Sequence, residues 1–296
     1  MPARTGIRVR IRIHVRKFIA LTTLPAGNFR RMSDHYDVTG TGPVLLIIPG
    51  GAGHPMGLEN VTARLAERFT VVTYDPLGLA HGQLGKPVAE QRVEWWSEGA
   101  ARVLDAVLPE GESAYVFGTS AGAVPALDLA ARHPDRLRHV VAHEPPVVGV
   151  LPDAERQRAM FTDVYDTYRK HGLKAAAARM TAGLEERAPA PVEPDAEAQP
   201  LSPDDELANP MALMLTRVLV PFASYDPDLA ALSSSPPRLT LAAGIDSVDQ
   251  LLYRTATILA RRTGNAARQF PGGHLGVLTH STEFAARLTE TLVPVG

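Results

Sequence analysis

The run Tyr115-Val-Phe-Gly118-Thr-Ser120-Ala-Gly122-Ala-Val-Pro-Ala-Leu127 constrains this chain more than any other stretch. A short β-rich segment passes through Gly-x-Ser-x-Gly into a helix-forming segment. A serine at a sharp strand-to-helix turn is forced into a strained backbone, and the residues two positions either side must be small for the chains to pass. Gly118 and Gly122 occupy those positions. Such a turn exposes the Ser120 hydroxyl at the C-terminal edge of a sheet, where the following helix presents free N–H groups and the positive end of its dipole. The competing reading of the motif alone is a Gly/Ser loop, so the rest of the chain has to supply a base, a second anion-stabilising donor and an acid.

The surrounding pattern is that of a parallel sheet covered on both faces. A continuous apolar run at 44–48 and the segments 70–74 and 137–142 read as buried strands, with further strands at 238–243 and 267–270. Helical spacing separates them over 58–69, 90–108 and 251–263, and a closing helix is expected over 282–292. Repeated strand–helix–strand units give an α/β fold: a mainly parallel, doubly wound sheet of about eight strands. The first strand is expected at 18–24, and 34–38, which runs into Gly40-Thr-Gly42-Pro43, reads as half of a hairpin.

From about residue 150 the alternation stops. Helices are expected over 153–171, 174–186 and 204–220, with a proline- and acid-rich loop over 188–203. The organisation expected is an extension at 1–17, a core made of 18–149 and 236–296, and an all-helical cap at 150–235 inserted after the sixth strand. Met211, Met214 and Phe222 lie in the cap; methionines at helical spacing read as core in the first instance and as pocket lining in the second. Adjacent Trp95 and Trp96 point to different helix faces, one into the core and the other toward a neighbour.

Composition narrows the chemistry. The 296 residues contain no cysteine, which rules out disulfides, thiolate metal sites and thiol catalysis. A net charge of −2 gives no reason to expect nucleic acid or an anionic membrane as partner. At the amino terminus Arg8, Arg10, Arg12, His14 and Arg16 alternate with apolar residues, an edge strand or an ill-ordered extension. The following Phe18-Ile-Ala-Leu is too short, and too soon broken by Thr22 and Thr23, for a signal-peptide core. The expectation is a cytoplasmic protein acting on a small molecule, with no cofactor and no metal.

After 44–48 comes Pro49-Gly50-Gly51-Ala52-Gly53-His54, a glycine loop at the same sheet edge as Ser120. Gly51 is one candidate N–H donor to an oxyanion and Ala121, just after the serine, the other. The last strand is followed by Pro271-Gly-Gly-His274-Leu-Gly276, and a histidine there can act as a base near neutral pH.

Serine after one strand, acid after a later one and histidine after the last, with the glycine loop before them, resembles the α/β-hydrolase superfamily over residues 18–292. Tyr74-Asp75, Arg132-His-Pro-Asp135 and His143-Glu-Pro-Pro146 are similar to its cofactor-free bacterial members. The resemblance implies acyl transfer, with Ser120 as nucleophile and His274 as base. It also implies an acid at the third residue after Gly244, but that residue is Ser247. Asp246 is therefore the first candidate acid, Glu144 the second and Asp249 the third. Two other departures are Pro49 in place of a histidine and the run Asp75-Pro-Leu-Gly-Leu-Ala-His81-Gly82 after the fourth expected strand. Three functions stay open: hydrolysis of an ester, thioester or lactone of a small apolar molecule; cyclase, lyase or acyl-transfer chemistry in the same pocket; and ligand binding without catalysis.

Overall fold

In the computed structural model the described residues are 34–82, 87–188, 191, 200–234 and 238–293. The expected strand at 18–24 and the arginine-rich extension lie outside them. Val44–Ile48 (β2) is five apolar residues, all buried. On its two edges it pairs in parallel with Thr70–Asp75 (β3) and Ala114–Thr119 (β4). His35–Thr39 (β1) closes one side, and Leu137–His143 (β5), Arg238–Gly244 (β6) and Ala266–Phe270 (β7) continue the other. The described sheet has seven strands in the order β1-β3-β2-β4-β5-β6-β7, parallel except for β1.

The hairpin expected of 34–38 does not form. β1 pairs antiparallel with β3, Tyr36 opposite Tyr74, because both edges of β2 are already taken. The intervening turn passes tightly against the strand-ward end of a helix: at Gly40, φ +80°, a Cβ would lie 2.3 Å from the Phe69 carbonyl oxygen.

Alternate side chains of each strand enter two cores. Leu46, Ile48, Val72 and Val116 pack under Val93–Val107 (α2), Ala123–Arg132 (α3) and Leu251–Thr263 (α9). Leu45, Ile47, Val71 and Phe117 pack under Glu59–Leu65 (α1) and Ser281–Leu292 (α11). Both faces are covered, which is why β2 reads as an unbroken apolar run. Trp96 is fully buried, edge-on to Phe222 at 4.8 Å between ring centroids, while Trp95 stays exposed beneath the Arg92 guanidinium.

Between β5 and β6 the described residues contain helices and no strand: Ala154–Leu184 (α4), Pro203–Ala208 (α5), Pro210–Leu213 (α6), Leu219–Ala223 (α7) and Leu229–Ser233 (α8), with a π-helical stretch Met214–Val218 joining α6 to α7. α4 is two helices, broken at Gly172 by φ 75° and ψ −173°, a backbone conformation confined essentially to glycine. The break brings Asp153 and Glu186 together at the base of the pair. Arg254 of α9 donates to both, with 2.8 Å to Asp153 Oδ1, and fastens the inserted helices to the sheet. After β7, Gly276–Thr279 (α10) precedes α11. Among the described residues no helix is long and apolar enough to cross a membrane.

Candidate active site

The serine turn forms as the glycines require. Ser120 has φ 53°, in the left-handed region. A Cβ on Gly122 would lie 2.2 Å from the Ile48 carbonyl oxygen and 2.3 Å from that of Pro49. One on Gly118 would lie 2.5 Å from the Gly122 oxygen and 2.7 Å from the Ala126 Cβ. The glycine loop after β2 runs alongside, so that a Cβ on Gly50 would come within 3.0 Å of the Ser120 Cβ and 3.7 Å of its Oγ. Gly51 follows with φ 59°, and Ala121 is buried at the start of the serine helix.

One strand over, β5 ends in a second tight turn. β4 and β5 are in register with Thr119 opposite His143, so Ser120 and Glu144 follow at the same level of the sheet. Glu144 has φ 48°, the same left-handed conformation as Ser120. A non-glycine residue pays for that conformation in strain, and its backbone N–H is anchored to the Ala242 carbonyl oxygen at 2.9 Å.

The loop after β7 brings in His274. Its Nε2 lies 3.1 Å from Ser120 Oγ and its Nδ1 lies 2.7 Å from Glu144 Oε2. An ionised carboxylate only accepts, so Nδ1 carries the proton and donates it to Glu144, leaving Nε2 free to accept from the serine hydroxyl. The other carboxylate oxygen, Oε1, accepts from the Gly244 N–H at 2.9 Å and from the Ser247 hydroxyl. Glu144 is wholly buried. Burial alone would push its pKa up; the hydrogen bond and charge of His274, the neighbouring His143 and the Ser247 hydroxyl outweigh it and bring the carboxyl down to about 2.

Asp246 is exposed, and what it contributes to this loop is its backbone N–H, donated to the Gly272 carbonyl oxygen at 3.0 Å. The acceptor for the His274 Nδ1–H is Glu144, the second candidate, and the first and third candidates, Asp246 and Asp249, both face solvent. The physical reason is reach. The carboxylate arrives from the end of β5, next to the serine strand, on a side chain one methylene longer than aspartate.

The position after β6 expected to hold the acid carries Ser247, which is buried against Glu144. Its partnership was not foreseen; the signal for it was a serine in the acid's place together with a glutamate after the preceding strand. Behind the turn, His143 is buried edge-on to Phe284 at 5.2 Å between ring centroids, with Nδ1 3.3 Å from the Thr119 hydroxyl. Burial lowers its pKa to about 4, partly countered by Glu144 and reinforced by His274, so it is neutral at pH 7.

Met214 lies 4.0 Å from where a Gly51 Cβ would stand; Leu275 and Ile245, next in the chain to His274 and Gly244, are exposed, as is Met56. An open cavity of about 420 Å³ reaches the end of the glycine loop at His54 without being lined by Ser120, Glu144 or His274; Leu79 and Gly82 line it beside His54, and Asp204, Leu207, Ala208 and Pro210 of the inserted segment line it too. Among the described residues no group of three or more histidine, aspartate or glutamate side chains is arranged to hold a metal ion.

Fold and site together define an α/β hydrolase, and the chain belongs to that family: the family model described as the alpha/beta hydrolase fold matches residues 43–184. Over 264 residues the chain is 32% identical to the hydrolase YraK of Bacillus subtilis (strain 168), covering 87% of this chain and 92% of that protein. It is 30% identical over 115 residues to the zearalenone hydrolase of Bionectria ochroleuca, 38% of this chain and 43% of that one. In three dimensions it is similar to the enol-lactonase of Burkholderia xenovorans LB400, with a TM-score of 0.61 at 16% identity over 88% of this chain and 96% of that one.

Proposed function

We propose that the protein hydrolyses an ester, thioester or lactone of a small apolar molecule through an acyl-enzyme on Ser120. The observation that carries this reading is the unbroken line from Glu144 through His274 to Ser120, at 2.7 and 3.1 Å, lying at the sheet edge where the glycine loop passes the serine. Ser120 Oγ attacks the substrate carbonyl carbon while its proton passes to His274 Nε2. Negative charge gathers on the carbonyl oxygen, where the N–H groups of Gly51 and Ala121 receive it. Glu144 holds the imidazole in the required tautomer and stabilises it when charged. As the tetrahedral adduct collapses, the bond to the leaving oxygen or sulfur breaks and His274 returns its proton to that atom. Water then attacks the acyl-enzyme with His274 as base, releasing the acid and restoring the serine. With a lactone the leaving alcohol stays attached to the acyl group, and the product is a hydroxy acid.

Met214 beside Gly51, and the exposed Leu275 and Ile245 next in the chain to His274 and Gly244, favour an apolar substrate. The steps need neither metal nor organic cofactor, and the reaction is placed on a free small molecule in the cytoplasm. The lack of an acid after β6 is what motivates the cyclase, lyase or acyl-transferase alternative; Glu144 at 2.7 Å from His274 supports the hydrolytic reading instead.

A fluorophosphonate probe tests the reading directly. The folded protein is expected to gain one covalent adduct, mapped by mass spectrometry to the peptide containing Ser120 and absent from Ser120→Ala. A folded wild-type protein that stays unlabelled, or an adduct elsewhere, overturns it.

A further inference from the structure

We propose that Ser247 is a positioning residue for the Ser120–His274 couple and acts on it solely through Glu144. This deepens, and rests on, the reading of Glu144 as the acid. The end of β6 and the turn after it, residues 244–247, meet the machinery at three residues, and each does something different. Gly244 lacks a side chain where the His274 loop crosses: a Cβ there would lie 2.5 Å from the Gly272 carbonyl oxygen and 2.6 Å from the Gly273 Cα. The Asp246 N–H ties that loop down by its hydrogen bond to Gly272. Ser247 is the one side chain of the turn in contact with the acid, 1% exposed, its hydroxyl on Glu144 Oε1 beside the Gly244 N–H.

Glutamate has three rotatable side-chain bonds, one more than aspartate, and Glu144 projects from a backbone in the left-handed region. With Oε2 alone facing the imidazole, the carboxylate would be free to turn about its last bond or withdraw. Two donors on Oε1 remove that freedom and leave Oε2 for His274 Nδ1. The Ser247 hydroxyl has a single proton and two acceptors within reach, Glu144 Oε1 and the Gly244 carbonyl oxygen at 3.0 Å. An ionised Glu144 draws the proton to itself; a protonated Glu144 lets it swing to Gly244. Ser247 therefore favours the charged, correctly turned acid, and Glu144 is the member of the Glu144–His274–Ser120 line to which its side chain is hydrogen-bonded.

The test uses the rate at which a fluorophosphonate modifies Ser120, which needs no knowledge of the natural substrate. Ser247→Ala is expected to lower the maximal rate of modification roughly tenfold, as loss of an outer hydrogen-bond partner does, with the concentration for half-maximal rate unchanged. Ser247→Thr, which keeps the hydroxyl, is expected to retain most of the rate. In a Glu144→Ala background, adding Ser247→Ala is expected to change the rate by less than about twofold, since the acceptor it acts through is gone. The low-field proton resonance of the His274 Nδ1–H, lost in Glu144→Gln, is expected to shift or broaden in Ser247→Ala. A Ser247→Ala protein that reacts like wild type, or that loses the same factor in both backgrounds, overturns the proposal while leaving Glu144 as the acid. A Glu144→Gln protein labelled at the full rate overturns the underlying reading as well.

Discussion

Glu144 is a buried carboxylate whose charge depends on its partners, and that dependence should be measurable as stability. Its folded pKa of about 2 lies below the ordinary 4.5, so folding favours the ionised form. The contribution is present in full above the unfolded pKa and is lost as pH falls toward the folded one. The interval between 4.5 and about 2, at 1.36 kcal/mol for each pH unit, makes about 3 kcal/mol at pH 5 and above, of which about 2 kcal/mol is gone by pH 3. Glu144→Gln keeps the shape of the side chain and cannot ionise. Wild type and variant share every other titrating carboxylate, including Asp153, so the gap between their unfolding free energies reports Glu144 together with its coupling to His143 and His274. The measurement is urea unfolding of both proteins at pH 5, 4 and 3, followed through the fluorescence of the buried Trp96. The gap should shrink by about 2 kcal/mol from pH 5 to pH 3, with wild type losing its advantage. A gap that stays constant within about 0.5 kcal/mol, or widens as pH falls, would refute an ionised, partner-stabilised Glu144.

Three further outcomes follow from the packing. Gly122→Ala forces a Cβ against two backbone carbonyl oxygens at 2.2 and 2.3 Å, which cannot yield as a side chain would; it should cost about 3 kcal/mol in a denaturant melt and abolish labelling of Ser120. Arg254→Gln releases Asp153 and Glu186 at the base of α4. Because the arginine is partly exposed, with 30% of its side chain accessible, the loss should be only about 1 kcal/mol, and it should appear as faster limited proteolysis within residues 154–234. Asp246→Asn, which alters an exposed side chain, should leave the labelling rate within about twofold of wild type, whereas Glu144→Gln should lower it about a hundredfold or more.

The parts of the site that were legible in the sequence are those whose causes are local. Gly118 and Gly122 announce a turn because no other residue fits beside the Ile48, Pro49 and Gly122 carbonyls, and each constraint acts within a few residues of the serine or on the adjacent strand. His274 is marked in the same way by the glycines before it and by the end of the last strand. The sheet could be read because β2, buried on both faces, is wholly apolar and β3 to β5 each carry a β-branched or aromatic apolar centre. Pairing was harder: the turn at Gly40 to Pro43 has hairpin chemistry, but β1 went to β3 because strand order is decided by which edges remain free. The acid was harder still. A carboxylate near the end of β6 and another just past β5 look alike along the chain, and what separates them is register: Thr119 opposite His143 sets Glu144 level with Ser120, one strand away from it. The sequence does contain a trace of that choice, in two places that have to be read together. Ser247 is too short to be an acid and is buried where only a donor would be useful; Glu144 is long enough to cross to the histidine but, buried, needs a donor on its far oxygen. Each residue is unremarkable alone, and each supplies what the other lacks. In a chain of this fold, a serine in the acid's place is therefore a reason to look for a glutamate at the end of the neighbouring strand.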